Sequence, residues 1–359
     1  MKLSSAIRCL LMVIAVPTLL PGCGSTTTLL TDKQPPPPRG YVAYYAAGPI
    51  VVDGDLNEPA WQNAAWTADF VDIEGSLRPA PRFRTRAKMT WDDNALYIGA
   101  ELQEPDVWGT LTKRDTVIFY DDDFEVFIDP NGDNFEYYEF EMNALNTVWD
   151  LFLPKPYRDE GSPHNDWNII GLKTAVRVHG TINNPADIDS GWTVEIAMPW
   201  TALGEFAHRP APPHDGDQWR INFSRVEWKV DTVNGVYHKL PGMREDNWVW
   251  SPQWMIDMHQ PELWGYVQFD TGSPGSRLFK SDPTWPARIA LYQVYKAERS
   301  FRRNNGRYAL SLQDLGFSSA GTKLEISIEP RPQGYTATAR LNGFVVRETE
   351  DSRCWVEGQ

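Results

Sequence analysis

Ten residues late in the sequence, Glu245-Asp246-Asn247-Trp248-Val249-Trp250-Ser251-Pro252-Gln253-Trp254, set three tryptophans among side chains that hydrogen-bond well. A sugar ring has an apolar C–H face and a rim of hydroxyls. An aromatic ring covers the first, and Asp, Asn, Glu or Gln meets the second. Trp248 and Trp250 are two apart, so on a strand they share a face. The pattern offers a stacking platform of Trp248, Trp250 and Trp254 with Asn247 at its rim. The competing reading is that these tryptophans are core, where most tryptophans lie.

Acidic loops suggest a second chemistry. Asp129-Pro130-Asn131-Gly132-Asp133-Asn134 spaces oxygen ligands at alternate positions, as the start of a calcium loop does. It lacks the later bidentate Glu, and Asn-Gly and Asp-Asn are turn formers, so a hairpin turn is the favoured reading. In Asp121-Asp122-Asp123 three adjacent carboxylates repel unless a cation or Arg neutralises them. Asp121, Asp122, Asp123, Asp129 and Asp133 are thus the candidate oxygens for a structural calcium (Ca2+). A third acidic turn, Asp53-Gly54-Asp55, is followed by Trp61.

The usual catalytic signatures are missing: the chain has no Gly-x-Ser-x-Gly, His-Glu-x-x-His or Cys-x-x-Cys, and no phosphate-binding loop. With 48 carboxylates, a pair at glycosidase spacing exists by chance and carries no signal. The formal charge of −14 opposes polyphosphates, so nucleic acid is a poor partner.

The elements that must position these residues read as mostly β. Segment 1–22 is expected to be a signal: Lys2 and Arg8 form a short cationic stretch before an apolar run, 9–20, too short to span a bilayer. It ends in Leu20-Pro21-Gly22-Cys23, which resembles a bacterial lipobox and implies lipidation of Cys23. Segment 23–40, with prolines at 35–38, is a stiff tether. The expected location is therefore exported and membrane-anchored, at the outer membrane or cell surface.

From 41 to 270, short strand signals separated by Gly, Pro, Asn and Asp predict an all-β antiparallel sandwich. Strands are expected at 96–102, 123–128, 137–143, 147–153, 173–178, 191–198, 218–228 and 265–269. Arg82, Arg84, Arg86 and Lys88 alternate with Phe83, Thr85, Ala87 and Met89; such a basic ladder pairs with acidic cross-strand neighbours more readily than it grips an anionic ligand. Segment 271–281 reads as a linker, and 282–359 as a small α+β unit. In that unit a helix starts at Asp282-Pro283 and stops at Asn305-Gly306, before strands at 324–328, 335–339, 344–347 and 354–356.

Four stretches in order carry a resemblance to the family 9 carbohydrate-binding modules and the exported proteins described as family 9-like. They are Asp53-Gly54-Asp55-Leu56-Asn57-Glu58-Pro59-Ala60-Trp61, Trp91-Asp92-Asp93-Asn94-Ala95-Leu96-Tyr97-Ile98, Asp123-Phe124-Glu125-Val126-Phe127-Ile128-Asp129-Pro130 and His259-Gln260-Pro261-Glu262-Leu263-Trp264-Gly265-Tyr266-Val267-Gln268-Phe269. The resemblance implies an antiparallel sandwich, with Leu56 and Trp61 plugging its end. It implies structural calcium, and a terminal sugar clamped between two rings. One clamp position falls on Phe119 and Tyr120, the other on Trp248, Trp250 or Trp254, and Glu125 matches a rim carboxylate. Where sugar-binding members can present Arg, this chain has Tyr138-Glu139-Phe140-Glu141. The 305–309 stretch is similar to pilin-like domains.

The leading function is non-catalytic capture of a polysaccharide or oligosaccharide by an anchored lipoprotein. One alternative is an assembly partner in polysaccharide uptake, docking other proteins through the tail. Another is a haem-binding electron-transfer domain, for which Met142, Met198, Met255, Met258, His238 and His259 show no distinguishing spacing.

Overall fold

A computed structural model describes residues 28–29, 34–319 and 322–358. The expected signal segment, Cys23 and the first part of the tether lie outside the described residues. No described helix is long and apolar enough to cross a membrane.

The elements run β1 (Thr28–Leu29), β2 (Gly40–Tyr44), α1 (Pro59–Asn63), β3 (Val71–Asp72), β4 (Thr85–Trp91), β5 (Ala95–Leu102), β6 (Asp123–Asp129), β7 (Tyr137–Asn143), β8 (Val148–Leu153), β9 (Lys173–His179) and β10 (Gly191–Pro199). They continue through α2 (Trp200–Leu203), β11 (Gln218–Glu227), β12 (Val230–Val233), β13 (Val236–Lys239), β14 (Asp246–Val249) and β15 (Gly265–Asp270). One sheet has the order β4-β5-β10-β9. The other follows β2-β15-β11-β6-β7-β8, with β14 attached to β11 and β3 to β14. The pairings are antiparallel except for β2 against β15.

Alternation builds the core between the sheets. On β4 Ala87, Met89 and Trp91 point inward with Ile98 and Ala100 of β5; on β6 Phe124, Val126 and Ile128 meet them from the other side. Large aromatic residues, Trp91, Trp192, Trp200, Trp219 and Phe269 among them, fill the space between. The basic ladder is structural: Arg84 and Arg86 both bind Glu101 on the neighbouring strand, at 2.6 and 2.9 Å.

The C-terminal unit is α3 (Trp285–Asn305), β16 (Phe317–Ser318), β17 (Glu325–Arg331), β18 (Gly334–Leu341), β19 (Phe344–Thr349) and β20 (Cys354–Val356), the last four forming one antiparallel sheet. The helix begins later than its Asp-Pro signal suggests. Asp282 Oδ1 accepts the Thr284 N–H, making a turn that leads into Pro286 in the first helical turn. Gly306, at φ 70°, ends it in the left-handed conformation that glycine adopts freely. Ala287, Leu291 and Val294 pack on the tail sheet. A second face of Trp285, Ile289, Tyr292 and Tyr295 packs with Leu263 of the sandwich. The helix is therefore shared between two cores.

Candidate functional site

The acidic turn Asp53-Gly54-Asp55 is a corner of the fold. The Glu195 carboxylate on β10 accepts the backbone N–H groups of Asp53 and Gly54, at 2.9 and 3.0 Å, and the Trp61 indole N–H at 2.8 Å. Gly54 sits at φ 87°, and a Cβ there would stand 2.9 Å from the β9 backbone, so both conformation and space require glycine. Arg177 on β9 pairs with Asp55.

The expected tryptophan platform is corrected. Trp248 and Trp250 do share a face, but it is the inward one: they are 2% and 1% exposed, packed against Phe83 and against Tyr41 and Phe223. A Cβ on Gly265 would fall 2.3 Å from the Trp250 ring, so the strand carries glycine to admit that ring. Neither can stack on a ligand. Trp254 is half-buried, with its ring against Gly75. Asn247 lies opposite Val226, on the other side of β14 from Trp248.

Asp121, Asp122 and Asp123 do not act together. Asp121 accepts the Thr110 and Leu111 N–H groups, the Thr110 hydroxyl and the Asn143 amide. Asp122 accepts the Trp228 N–H and joins Glu104 and Glu227 around the buried Arg225. Asp123 turns to the opposite side, where its Oδ1 accepts the Val226 N–H and its Oδ2 has no partner. Nor do the five candidate aspartates form one calcium site. Among the described residues, the carboxylate groups that converge are Asp53/Glu58/Glu195, Glu104/Asp122/Glu227 and Asp123/Glu125/Glu141, and Asp121, Asp129 and Asp133 belong to none of them.

The 129–134 segment is a hairpin turn. Asp129 accepts the Gly132 and Asn134 N–H groups, and Asp133 accepts that of Phe135. The same turn holds the C-terminal unit: Arg353 binds Asp133, Asn134 donates to the Ser352 carbonyl, and Arg288 donates to that of Gly132.

What the structure does assemble is a polar stripe on the outer face of the larger sheet. Ser224, Glu125, Glu141 and Trp149 lie side by side across β11, β6, β7 and β8. Glu139 stands two residues from Glu141 on the same face, opposite Leu151. Glu141 Oε2 accepts the backbone N–H groups of Ile118 and Phe119, at 3.1 Å each, which seats the Phe119–Tyr120 ring pair at one edge. Tyr157 stands at the other edge. It is 41% exposed, and its hydroxyl pKa is pushed up by burial and then by Glu139 and Glu141. His259 lies beneath it, edge-on to Tyr157 at 4.5 Å and bonded to the Tyr137 hydroxyl; burial lowers its pKa to about 4, so the ring is neutral.

Burial, then neighbouring carboxylates, pushes Asp123, Glu139 and Glu141 well above the usual carboxylate range, and burial raises Glu125 to about 7. The face thus pairs hydrogen-bonding carboxyls with rings at both margins. Glu125 and Phe119 had been singled out in the sequence; Trp149 and Tyr157 had not. Of the haem candidates, His259 stands at this face and Met258 packs beside it, while Met142 and Met198 lie in the sandwich core.

Residues 52–224 match the family described as Carbohydrate family 9 binding domain-like. Among curated proteins, "Exoglucanase XynX" of Acetivibrio thermocellus is 31% identical over 162 residues, and "Endo-1,4-beta-xylanase A" of Thermoanaerobacterium saccharolyticum is 28% identical over 156. These alignments cover 45% and 44% of this chain but only 12% and 11% of those proteins. Among solved structures, a family 9 carbohydrate-binding module from Caldicellulosiruptor kristjanssonii in complex with cellotriose aligns at 17% identity. That alignment covers 68% of this chain and 100% of that one, with a TM-score of 0.43. The module from the same organism in complex with glucose gives 17%, 66% and 98%, with a TM-score of 0.42. The sandwich carries, over residues 52–224, a domain similar to the carbohydrate family 9 binding domains, a family described by binding and not by catalysis.

Proposed function

We propose that this protein binds carbohydrate without catalysis, holding its ligand over the outer face of β6, β7 and β8 between Phe119 and Tyr157. The observation that carries the reading is the row Glu125–Glu141–Trp149 with an aromatic ring at each margin. It suits a sugar's two surfaces: Phe119, Tyr120 and Tyr157 for the C–H face, Glu125, Glu139 and Asn247 for the hydroxyls. The family match over 52–224 supports it independently. The names of the relatives nominate β-1,4-linked glucan and xylan oligosaccharides as first ligands.

The remaining roles belong to the same proposal. A lipid on Cys23 anchors the chain in a membrane of the exported compartment, the tether up to residue 40 spaces the sandwich from it, and the C-terminal unit offers a surface to partner proteins.

The test is isothermal titration with xylo- and cello-oligosaccharides on the wild type and on Phe119→Ala and Tyr157→Ala. Loss of one stacking ring, about 1–3 kcal/mol, weakens binding roughly 5- to 150-fold with little change in thermal midpoint. Equal affinity in all three proteins overturns the assignment of the face. No binding across a glycan array overturns the function.

A further inference from the structure

Asp122 and Asp123 are neighbours in sequence, and each enters a buried group of three carboxylates. The first group, Glu104, Asp122 and Glu227, surrounds the Arg225 guanidinium, which is 0% exposed and binds Glu104 and Glu227. Arg82 reaches Glu227 as well, at 3.3 Å. The second group is Asp123, Glu125 and Glu141, at 0%, 6% and 1% exposure. Among the described residues, no Lys, Arg or His nitrogen comes within ion-pair distance of these three. The same fold thus buries two carboxyl clusters back to back and supplies a cation to only one of them. Buried carboxyls without a counter-charge are costly to ionise, and a bound cation removes that cost.

Two further observations point to a ligand. Asp123 Oδ2, fully buried, has no hydrogen-bond partner. Glu139, 5% exposed and next to Glu141 on the same strand face, has an Oε2 that accepts no hydrogen bond, and the neutral His259 ring that faces it stands 4.0 Å away. The geometry suits an ion. One oxygen from each of Asp123, Glu125 and Glu141 lies within 4.8 Å of the others, and two oxygens bound to one calcium at about 2.3–2.6 Å stand at most about 5 Å apart.

We propose that Asp123, Glu125 and Glu141 form a calcium site within the polar face, the ion standing to them as Arg225 stands to the neighbouring cluster. The donor set is all oxygen, which disfavours zinc. It is also too buried to leave the several waters that magnesium keeps, which favours calcium. The site differs from the acidic turn at 129–134, whose oxygens are taken by its own backbone and by Arg353. It does not rest on the carbohydrate reading, because its test contains no glycan.

The experiment is a terbium titration of the full chain, following emission sensitised by tryptophan; Trp149, opposite Glu141, is the nearest donor in register. Thermal melts in chelator and in millimolar calcium accompany it. The expected result is emission that calcium displaces, and a higher midpoint in calcium. Glu125→Gln and Glu141→Gln should each weaken ion binding on the order of tenfold or more, since ligand charge sets calcium affinity. Gln keeps the shape and hydrogen-bonding capacity of the protonated carboxyl, so in chelator both variants melt no lower than the wild type; Asp123→Asn is the third variant should either fail to fold. A wild type with no sensitised emission and the same midpoint in chelator and calcium overturns the site. So does a calcium response that survives in both Gln variants but disappears in Asp129→Asn.

Discussion

Trp61 donates its indole N–H to Glu195 over 2.8 Å, a bond that ties the first helix to β10 across 134 residues of chain. The Glu195 carboxylate also closes the Asp53-Gly54 turn, so one buried side chain serves three donors. Glu195→Ala leaves those three N–H groups without an acceptor and should cost about 3 kcal/mol or more. Urea denaturation measures this; a loss under about 0.5 kcal/mol, the range of ordinary surface changes, refutes the corner's role.

Trp250→Ala opens a cavity in the sandwich core beside Tyr41 and Phe223. It should lower stability by about 3–5 kcal/mol. The surviving folded fraction should bind glycan as the wild type does. A variant of normal stability with selectively lost affinity would return Trp250 to the binding site.

The C-terminal unit is docked through Asp159, which accepts the hydroxyls of Tyr295 and Ser352 and pairs with Arg299. Asp159→Ala strands these partners and should cost about 3–5 kcal/mol at the interface. Limited proteolysis should then cut faster within 271–281. An unchanged cleavage rate would mean that the apolar face of α3 docks the unit unaided.

Stability should fall as pH rises from about 4 to 7. Burial, and then Asp133, raises Asp129 to about 7 from an ordinary carboxylate value near 3.8. In that window the folded protein holds a proton that the unfolded chain has released. Unfolding therefore releases protons, and a higher pH favours it. Burial shifts Glu262 and Glu298 in the same direction. Melts in chelating buffer from pH 5 to 8 check this, and a midpoint that climbs with pH contradicts it.

The fold was legible because its signals are local. Period-two alternation in 82–89 and the Asn-Gly turn at 131–132 mark a strand and a corner that the structure places within a few residues. The site was harder to read because its decisive feature is the direction in which a face points. Trp248 and Trp250 share a face whether that face looks in or out, and only the pairing of β14 between β11 and β3 sends it inward. Alternation in β7 held the missing clue, since Glu139 and Glu141 alternate with Tyr138, Phe140 and Met142, and a strand so divided carries its acids away from the core. Tyr157 lies in a loop with no period at all, and only the folded chain brings it to Glu139.

The parallel pairing of β2 with β15 has a mechanical consequence. The Pro-rich segment feeds directly into β2, whose five residues, Gly40 to Tyr44, lie in register with Tyr266 to Asp270. A pull along that segment drags β2 lengthwise against β15, so the ladder is loaded in shear and its bonds resist together. An antiparallel hairpin pulled from its open end would unzip one bond at a time. A load applied ahead of Gly40 would thus reach the sandwich along the β2–β15 ladder and not across it.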